Sequence, residues 1–226
     1  MPLGVTRPRT CRGHLAIPPV GACIPHIAVT SAIYGPTVNL FVEGEYGISS
    51  PSGLQIVLRI NTDFPRSPSV RIQLKVEHTD TFALRVRIPA WRQQASVSVN
   101  GEVADAVPGE YAVLHRSWRD GDVIELNLDL RTRVIHSQKD DRVAVMRGPV
   151  VFSRDENMDC NFDSPVDLVS DNGIMEIEQE TPLYDTVWQQ IKVPTSEGSI
   201  RMVDYASINN WNGLRTCTWL STKGKS

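Results

Sequence analysis

The sequence lacks what would commit it to a nucleic acid or a membrane. Its 23 Lys+Arg are outnumbered by 26 Asp+Glu, for a formal charge of −3, so the basic excess that neutralises phosphates is missing. Juxtamembrane clusters of Lys and Arg are missing too, and no run approaches the roughly 18 apolar residues of a membrane-crossing helix. No nucleic-acid or membrane partner is therefore expected. Cysteine is scarce. Cys11, Cys23, Cys160 and Cys217 are too dispersed in 226 residues to read as a disulfide framework, and they leave the redox compartment open. The first residues, MPLGVTRPRTCRGHLAIPP, have Arg7, Arg9 and Arg12 spread through them and no continuous apolar stretch, so they do not read as a secretion signal. Phosphate-cradling GxxxxGK[ST] and GxGxxG loops, a GxSxG nucleophile turn and an HExxH zinc helix are all absent. There is no internal repeat, heptad or low-complexity tract.

What remains is a chain of ordinary globular make-up, 41% hydrophobic and 22% charged. At this length about 70% of the unfolded surface can be buried, so neither disulfide nor metal is needed to fold, and no cofactor is expected on that ground. The dominant hydrophobic period is two. Leu54, Ile56, Leu58 and Ile60 oppose Gln55, Val57 and Arg59; Val70, Ile72, Leu74 and Val76 oppose Arg71, Gln73, Lys75 and Glu77. Phe82, Leu84, Val86 and Ile88 oppose Ala83, Arg85 and Arg87, and Ile124, Leu126, Leu128 and Leu130 oppose Glu125, Asn127 and Asp129. Side chains alternate across a strand, so each run has one buried and one wet face, the signature of antiparallel sheet covered on one side.

Shorter strands are expected at 38–43, 95–100, 111–116, 142–146, 150–153, 187–193, 200–205 and 214–220. Asn100-Gly101 suits a tight hairpin because both residues tolerate positive φ. Many short strands at regular spacing predict an all-β chain of one or two antiparallel β-sandwiches. A short helix is expected from Cys23 to about Tyr34, with Pro25 in its first turn. The expected organisation is an N-terminal arm and helix over 1–36, a sandwich over 37–153, and an acidic loop with final strands over 154–226.

Four constellations could carry chemistry. Cys11-x-x-His14 and Cys23-x-x-His26 offer two thiolates and two imidazoles for tetrahedral zinc; the alternative is two unrelated Cys–His pairs in an N-terminal arm. Carboxylate pairs for sugar hydrolysis must stand roughly 5–10 Å apart across a scissile bond. Asp120/Asp122, Asp140/Asp141 and Glu43/Glu45 instead fall at turns or on wet strand faces. Of the tryptophans, Trp91 and Trp118 flank strands and read as packing. Trp211, in the polar run Asn209-Asn210-Trp211-Asn212-Gly213, is the candidate for stacking on a sugar ring, against a packing role at a loop base. His78, His115 and His136 have no nucleophile in a recognisable arrangement.

A more specific signal is an ordered set of motifs: FALRVRIPAW at 82–91, VSVNGE at 97–102, GEYAVLHRSWRDGDVIELNLDL at 109–130 and RVAVMRGPVVF at 142–152. Upstream lies VNLFVEGEY at 38–46 and downstream VDYASINNWN at 203–212. Together, over about residues 20–220, they resemble the β-sandwich region of glycoside hydrolase family 127, the β-L-arabinofuranosidase-like proteins. The resemblance implies a larger protein, in which an (α/α)6 barrel with a cysteine nucleophile and a zinc held by cysteines and a glutamate precedes the sandwiches. The expected helix would then be what is left of that barrel. The family's adjacent cysteines shortly before the VNL strand align with Ala22-Cys23, so Cys23 matches the second cysteine, Ala22 stands at the nucleophile's place and His26 replaces an asparagine. The resemblance therefore implies a sandwich portion without most of the catalytic barrel, inactive alone, with a barrel domain or homologous subunit as partner. The runner-up is a carbohydrate-binding or interaction module.

Overall fold

A computed structural model describes residues 27–91, 95–158, 161–208 and 215–223. The chain divides into two compact units, Met1–Leu128 and Asp129–Ser226. Strands make up almost all of the regular structure in both, and no helix among the described residues is long and apolar enough to cross a membrane.

The first unit contains β1 (Val29–Ala32), β2 (Gly35–Val38), β3 (Gly44–Ser49), β4 (Gln55–Thr62), β5 (Ser69–Val76), β6 (Asp80–Arg87), β7 (Ala95–Val99), β8 (Glu102–Ala104), β9 (Tyr111–Trp118) and β10 (Val123–Leu128). They form a four-stranded sheet in the order β1-β2-β6-β9 and a six-stranded sheet in the order β3-β4-β5-β10-β7-β8. Every pairing is antiparallel except β2 with β6, which run parallel with Thr37 opposite Arg85 and Val38 opposite Val86. The period-two faces become one core. Ile56, Leu58, Ile60, Val70, Ile72, Leu74, Phe82, Leu84, Val86, Ile124 and Leu126 are all buried in it. Each such side chain contributes on the order of 1.5–3 kcal/mol by leaving water, which is why alternation in the sequence locates the faces so well.

Of the helix expected from Cys23 to Tyr34, Ile27 and Ala28 are helical among the described residues, and from Val29 onward the chain is strand instead. Residues 29–38 are the β1–β2 hairpin, with Val29 opposite Val38 and Ala32 opposite Gly35; positions 23–26 lie outside the described residues. Val29 and Thr30 are β-branched and fit a strand better than a helix. Gly35 adopts φ +133°, and a Cβ there would lie 2.1 Å from the Ala83 carbonyl oxygen. A close approach of β2 to β6 thus outweighs the apolar run that suggested a helix. The strand expected at 38–43 is likewise replaced, by the connection between β2 and β3.

The second unit contains β11 (Thr132–His136), β12 (Arg142–Arg147), β13 (Val150–Asp155), β14 (Ile174–Met175), β15 (Glu178–Glu180), β16 (Gln190–Thr195), β17 (Gly198–Asp204), a 3-10 turn (Tyr205–Ser207), β18 (Thr216–Cys217) and β19 (Leu220–Ser221). The main order is β14-β11-β12-β13-β17-β16-β15. After Ser153, β13 leaves β17, and β18 pairs with its end while β19 pairs with β12. A hydrogen bond of 2.6 Å between the Ser153 and Thr218 hydroxyls pins this crossing. Val143, Val145, Phe152, Ile191, Val193, Met202 and Leu220 form the core.

Candidate functional site

The motifs singled out in the sequence hold turns. Asn100 and Gly101 both have positive φ, 51° and 86°, as the tight β7–β8 hairpin requires. The Asn100 side chain accepts from the Val123 N–H at 2.8 Å and donates to Asp122 at 2.8 Å, and Asp122 also accepts from the Arg119 N–H at 2.9 Å. The VNGE and RDGD motifs are therefore stitched to each other. Asp120 accepts from the Val76 N–H at 3.2 Å. Trp118 is fully buried and its indole N–H donates to the Phe82 carbonyl at 3.0 Å. Trp91, at the end of RIPAW, stacks on Phe64 with ring centroids 6.5 Å apart.

In each of the other acidic pairs one member is ion-paired on the surface. Glu45 is held by Arg59 and Asp140 by Arg142. Where a described carboxyl is displaced from its ordinary pKa, it is displaced downward. Hydrogen bonds from Arg59 lower Glu45, those from Ser50 and Ser52 lower Asp80, and those from Arg142 and Ser137 lower Asp140 to about 2. Arg215 lowers Glu156; at Glu180, burial pulls upward but Gln190 and Arg201 outweigh it. A glycosidase's acid needs the opposite, a carboxyl held up near neutrality. His78, His115 and His136 are all exposed. Among the described residues no three His, Cys, Asp or Glu side chains gather as metal ligands. Cys11, His14, Cys23, His26 and Trp211 lie outside the described residues.

The most developed polar arrangement lies in the second unit, and the sequence reading missed it. β13 ends in Arg154 and Asp155, only 3% and 1% exposed. Arg154 donates to the carbonyls of Ser164 at 2.9 Å and Asn161 at 2.6 Å, and its guanidinium lies over the Phe162 ring. Arg215 also lies over that ring, 5.0 Å from its centroid, and is held by both Glu156 and Asp163 at 2.8 Å. Asp204, also buried, accepts from the Gln189 N–H at 2.9 Å, the Ser207 N–H at 3.0 Å and the Ser207 hydroxyl at 2.6 Å. Asp155 Oδ2 and Gln189 Nε2 are buried without a hydrogen-bond partner. The Asp-x-x-Ser spacing of Asp204 and Ser207 was the available sequence signal, an end-capping pattern inside VDYAS.

Beside Arg154, a cleft of about 620 Å³ is lined by Asp167, Lys192, Glu197, Arg201 and Lys223 among others. Its lysines and Arg201 are matched: Lys223 bonds Glu197, Arg201 bonds Glu180 at 3.0 Å, and Lys192 lies 3.6 Å from Glu178. The cleft can offer hydrogen bonds to a polar ligand.

Residues 36–130 match the family described as beta-L-arabinofuranosidase, GH127 middle domain. Three solved structures share the fold. A GH127 beta-L-arabinofuranosidase from Geobacillus stearothermophilus T6 superposes with a TM-score of 0.78 at 22% identity, over 89% of this chain and 36% of its own. A protein described as a glycoside hydrolase gives 0.75 at 19% identity, over 99% and 43%. A GH127 beta-arabinofuranosidase gives 0.69 at 20% identity, over 83% and 35%. The chain thus spans less than half the length of each structure that it matches. Comparison with curated protein sequences returned no match.

Proposed function

We propose that this chain, which carries the GH127 middle domain over residues 36–130 and shares its fold with GH127 β-L-arabinofuranosidases, is the sandwich portion of such a glycoside hydrolase and acts as an accessory to a catalytic barrel. The observation that carries this reading is the asymmetry of coverage: 89% of this chain corresponds to only 36% of the first of those structures. The motifs support it, because their residues close turns and fill cores. The β1–β2 turn supplies an apolar surface for a docking barrel, with Ile33 81% and Tyr34 60% exposed. Of the zinc set implied by the family resemblance, this sequence matches Cys23, with Ala22 at the nucleophile's place; no catalytic step is assigned to it. The purified chain is expected to release no product from an aryl β-L-arabinofuranoside, with or without added zinc. Robust zinc-dependent hydrolysis would overturn the reading.

A second reading, a carbohydrate-binding module, draws on the polar cleft of the second unit and on Trp211. Retardation in affinity electrophoresis on a plant polysaccharide, lost in Trp211→Ala, would support it; migration unchanged on every polysaccharide would remove it. A structural zinc at Cys11, His14, Cys23 and His26 remains a separate proposal, tested by metal content and by stability on chelation. Much less than one zinc per chain, with no loss of stability, would dismiss it.

A further inference from the structure

Two Asn-Gly pairs of this chain close the same kind of turn. Asn100 and Gly101 join β7 to β8 with φ of 51° and 86°, and Asn172 and Gly173 lead into β14 with φ of 49° and 76°. In the second turn the Asp171 N–H donates to the Ile174 carbonyl and the Ile174 N–H donates to the Asp171 carbonyl, both at 2.9 Å. It is therefore a two-residue turn of the same hand as the first. Both asparagines are exposed; what differs is the hold on the side chain. Asn100 is tied at both ends of its amide, accepting from the Val123 N–H and donating to Asp122, each at 2.8 Å. The Asn172 amide makes no hydrogen bond to any described residue.

An asparagine followed by glycine carries its own electrophile and its own nucleophile. The Gly173 nitrogen is not one of the donors that close the turn, and glycine puts no Cβ beside it. A free side chain can swing its Cγ onto that nitrogen, whereas a tethered one must first break two hydrogen bonds. We propose that Asn172 is a modification site, at which the folded chain deamidates through a succinimide while Asn100 is protected. The Gly173 nitrogen gives its proton to hydroxide and bonds to Cγ of Asn172. The bond from Cγ to the side-chain nitrogen breaks, and ammonia leaves with a proton taken from water. Water then opens the ring. Its attack at Cγ leaves aspartate; attack at the main-chain carbonyl leaves isoaspartate, whose backbone runs through the side chain.

Isoaspartate puts one more carbon into the main chain, at a place with little slack. β14 has two residues, with Ile174 opposite Arg133 and Met175 opposite Thr132. The Val134 N–H donates to the Gly173 carbonyl at 2.8 Å, and Met175 is buried. A lengthened turn no longer sets that register, so the modification loosens β14 from β11.

The test incubates the folded full chain at mildly alkaline pH and digests it with trypsin. Asn172 lies on peptide 155–192 and Asn100 on 93–116; Asn212-Gly213, outside the described residues, falls on 202–215 and is read apart. Fragment masses are expected to place the change from amide to acid at Asn172 ahead of Asn157 and Asn161. Asn100 should react more slowly than Asn172 by roughly tenfold or more, the weight of two hydrogen bonds. In guanidinium chloride, with the fold gone, the two sites should react at similar rates. A protein isoaspartyl methyltransferase should label peptide 155–192. The aged chain should have a lower denaturant midpoint than Asn172→Asp, which adds the charge without the extra atom. Equal rates at Asn100 and Asn172 in the folded chain, a gap that persists in guanidinium chloride, no isoaspartate in that peptide, or an aged chain as stable as Asn172→Asp would each overturn the proposal.

Discussion

Gly35 illustrates how much a single position can decide. Its Cβ-free backbone lets the Ala83 carbonyl approach to a distance that no side chain permits, at a φ that L residues rarely adopt. Gly35→Ala should therefore cost at least about 2–4 kcal/mol, through strain and through separation of β2 from β6. A lowered urea midpoint measures this, and a midpoint within error of the unaltered chain would refute it. Trp118 marks the other extreme, a large side chain fully buried with its one polar atom satisfied. The sequence alone showed that Trp118 flanks a strand; the bond to the Phe82 carbonyl depends on β9 pairing with β6, which no local pattern specifies.

At the scale of elements, the long alternating strands were legible in the sequence and the short ones were not. β4, β5, β6 and β10 carry three or more consecutive inward apolar residues, and their pairing partners are set by burying those faces together. β18 and β19 have two residues each and exist because β13 and β12 offer free edges where the chain crosses them. The β1–β2 hairpin was misread as a helix because a short run of apolar and small residues fits either period, and tertiary pairing chose the strand. The 3-10 turn after β17 hangs on Asp204. Asp204→Ala would leave the Gln189 and Ser207 N–H groups buried without acceptors. A loss of about 3 kcal/mol or more in unfolding free energy is expected, with Asp204→Asn intermediate because it retains an acceptor. Equal stability of Asp204→Ala and the parent in urea would show that the carboxylate does not hold this end.

For the whole molecule, acid is the informative stress. Glu45, Asp80, Asp140, Glu156 and Glu180 all have lowered pKa values in the folded chain, Asp140 down to about 2. A carboxyl with a folded pKa below its unfolded one stabilises the fold fully above the unfolded value, and that contribution fades as pH falls through the folded value. Stability should therefore stay level from neutrality to roughly pH 5 and then decline toward pH 2. The decline should be shallow, because these pairs are largely solvated. Urea midpoints across that range test it, and a midpoint that rises on acidification would contradict the sign.

Residue order alone determined that this chain is made of strands, which faces they bury and that its turn motifs resemble those of a glycoside hydrolase sandwich. Burial follows side-chain period and turns follow local φ preferences, and both are written within a few residues. The tertiary structure decided what depends on distant partners: the parallel pairing of β2 with β6, the buried Arg154, Asp155 and Asp204, and the place of β9 at the edge of its sheet among the described strands. Those features arise where segments tens of residues apart meet, and the free energy of a buried charge or an unpaired edge is set by the neighbour that arrives there.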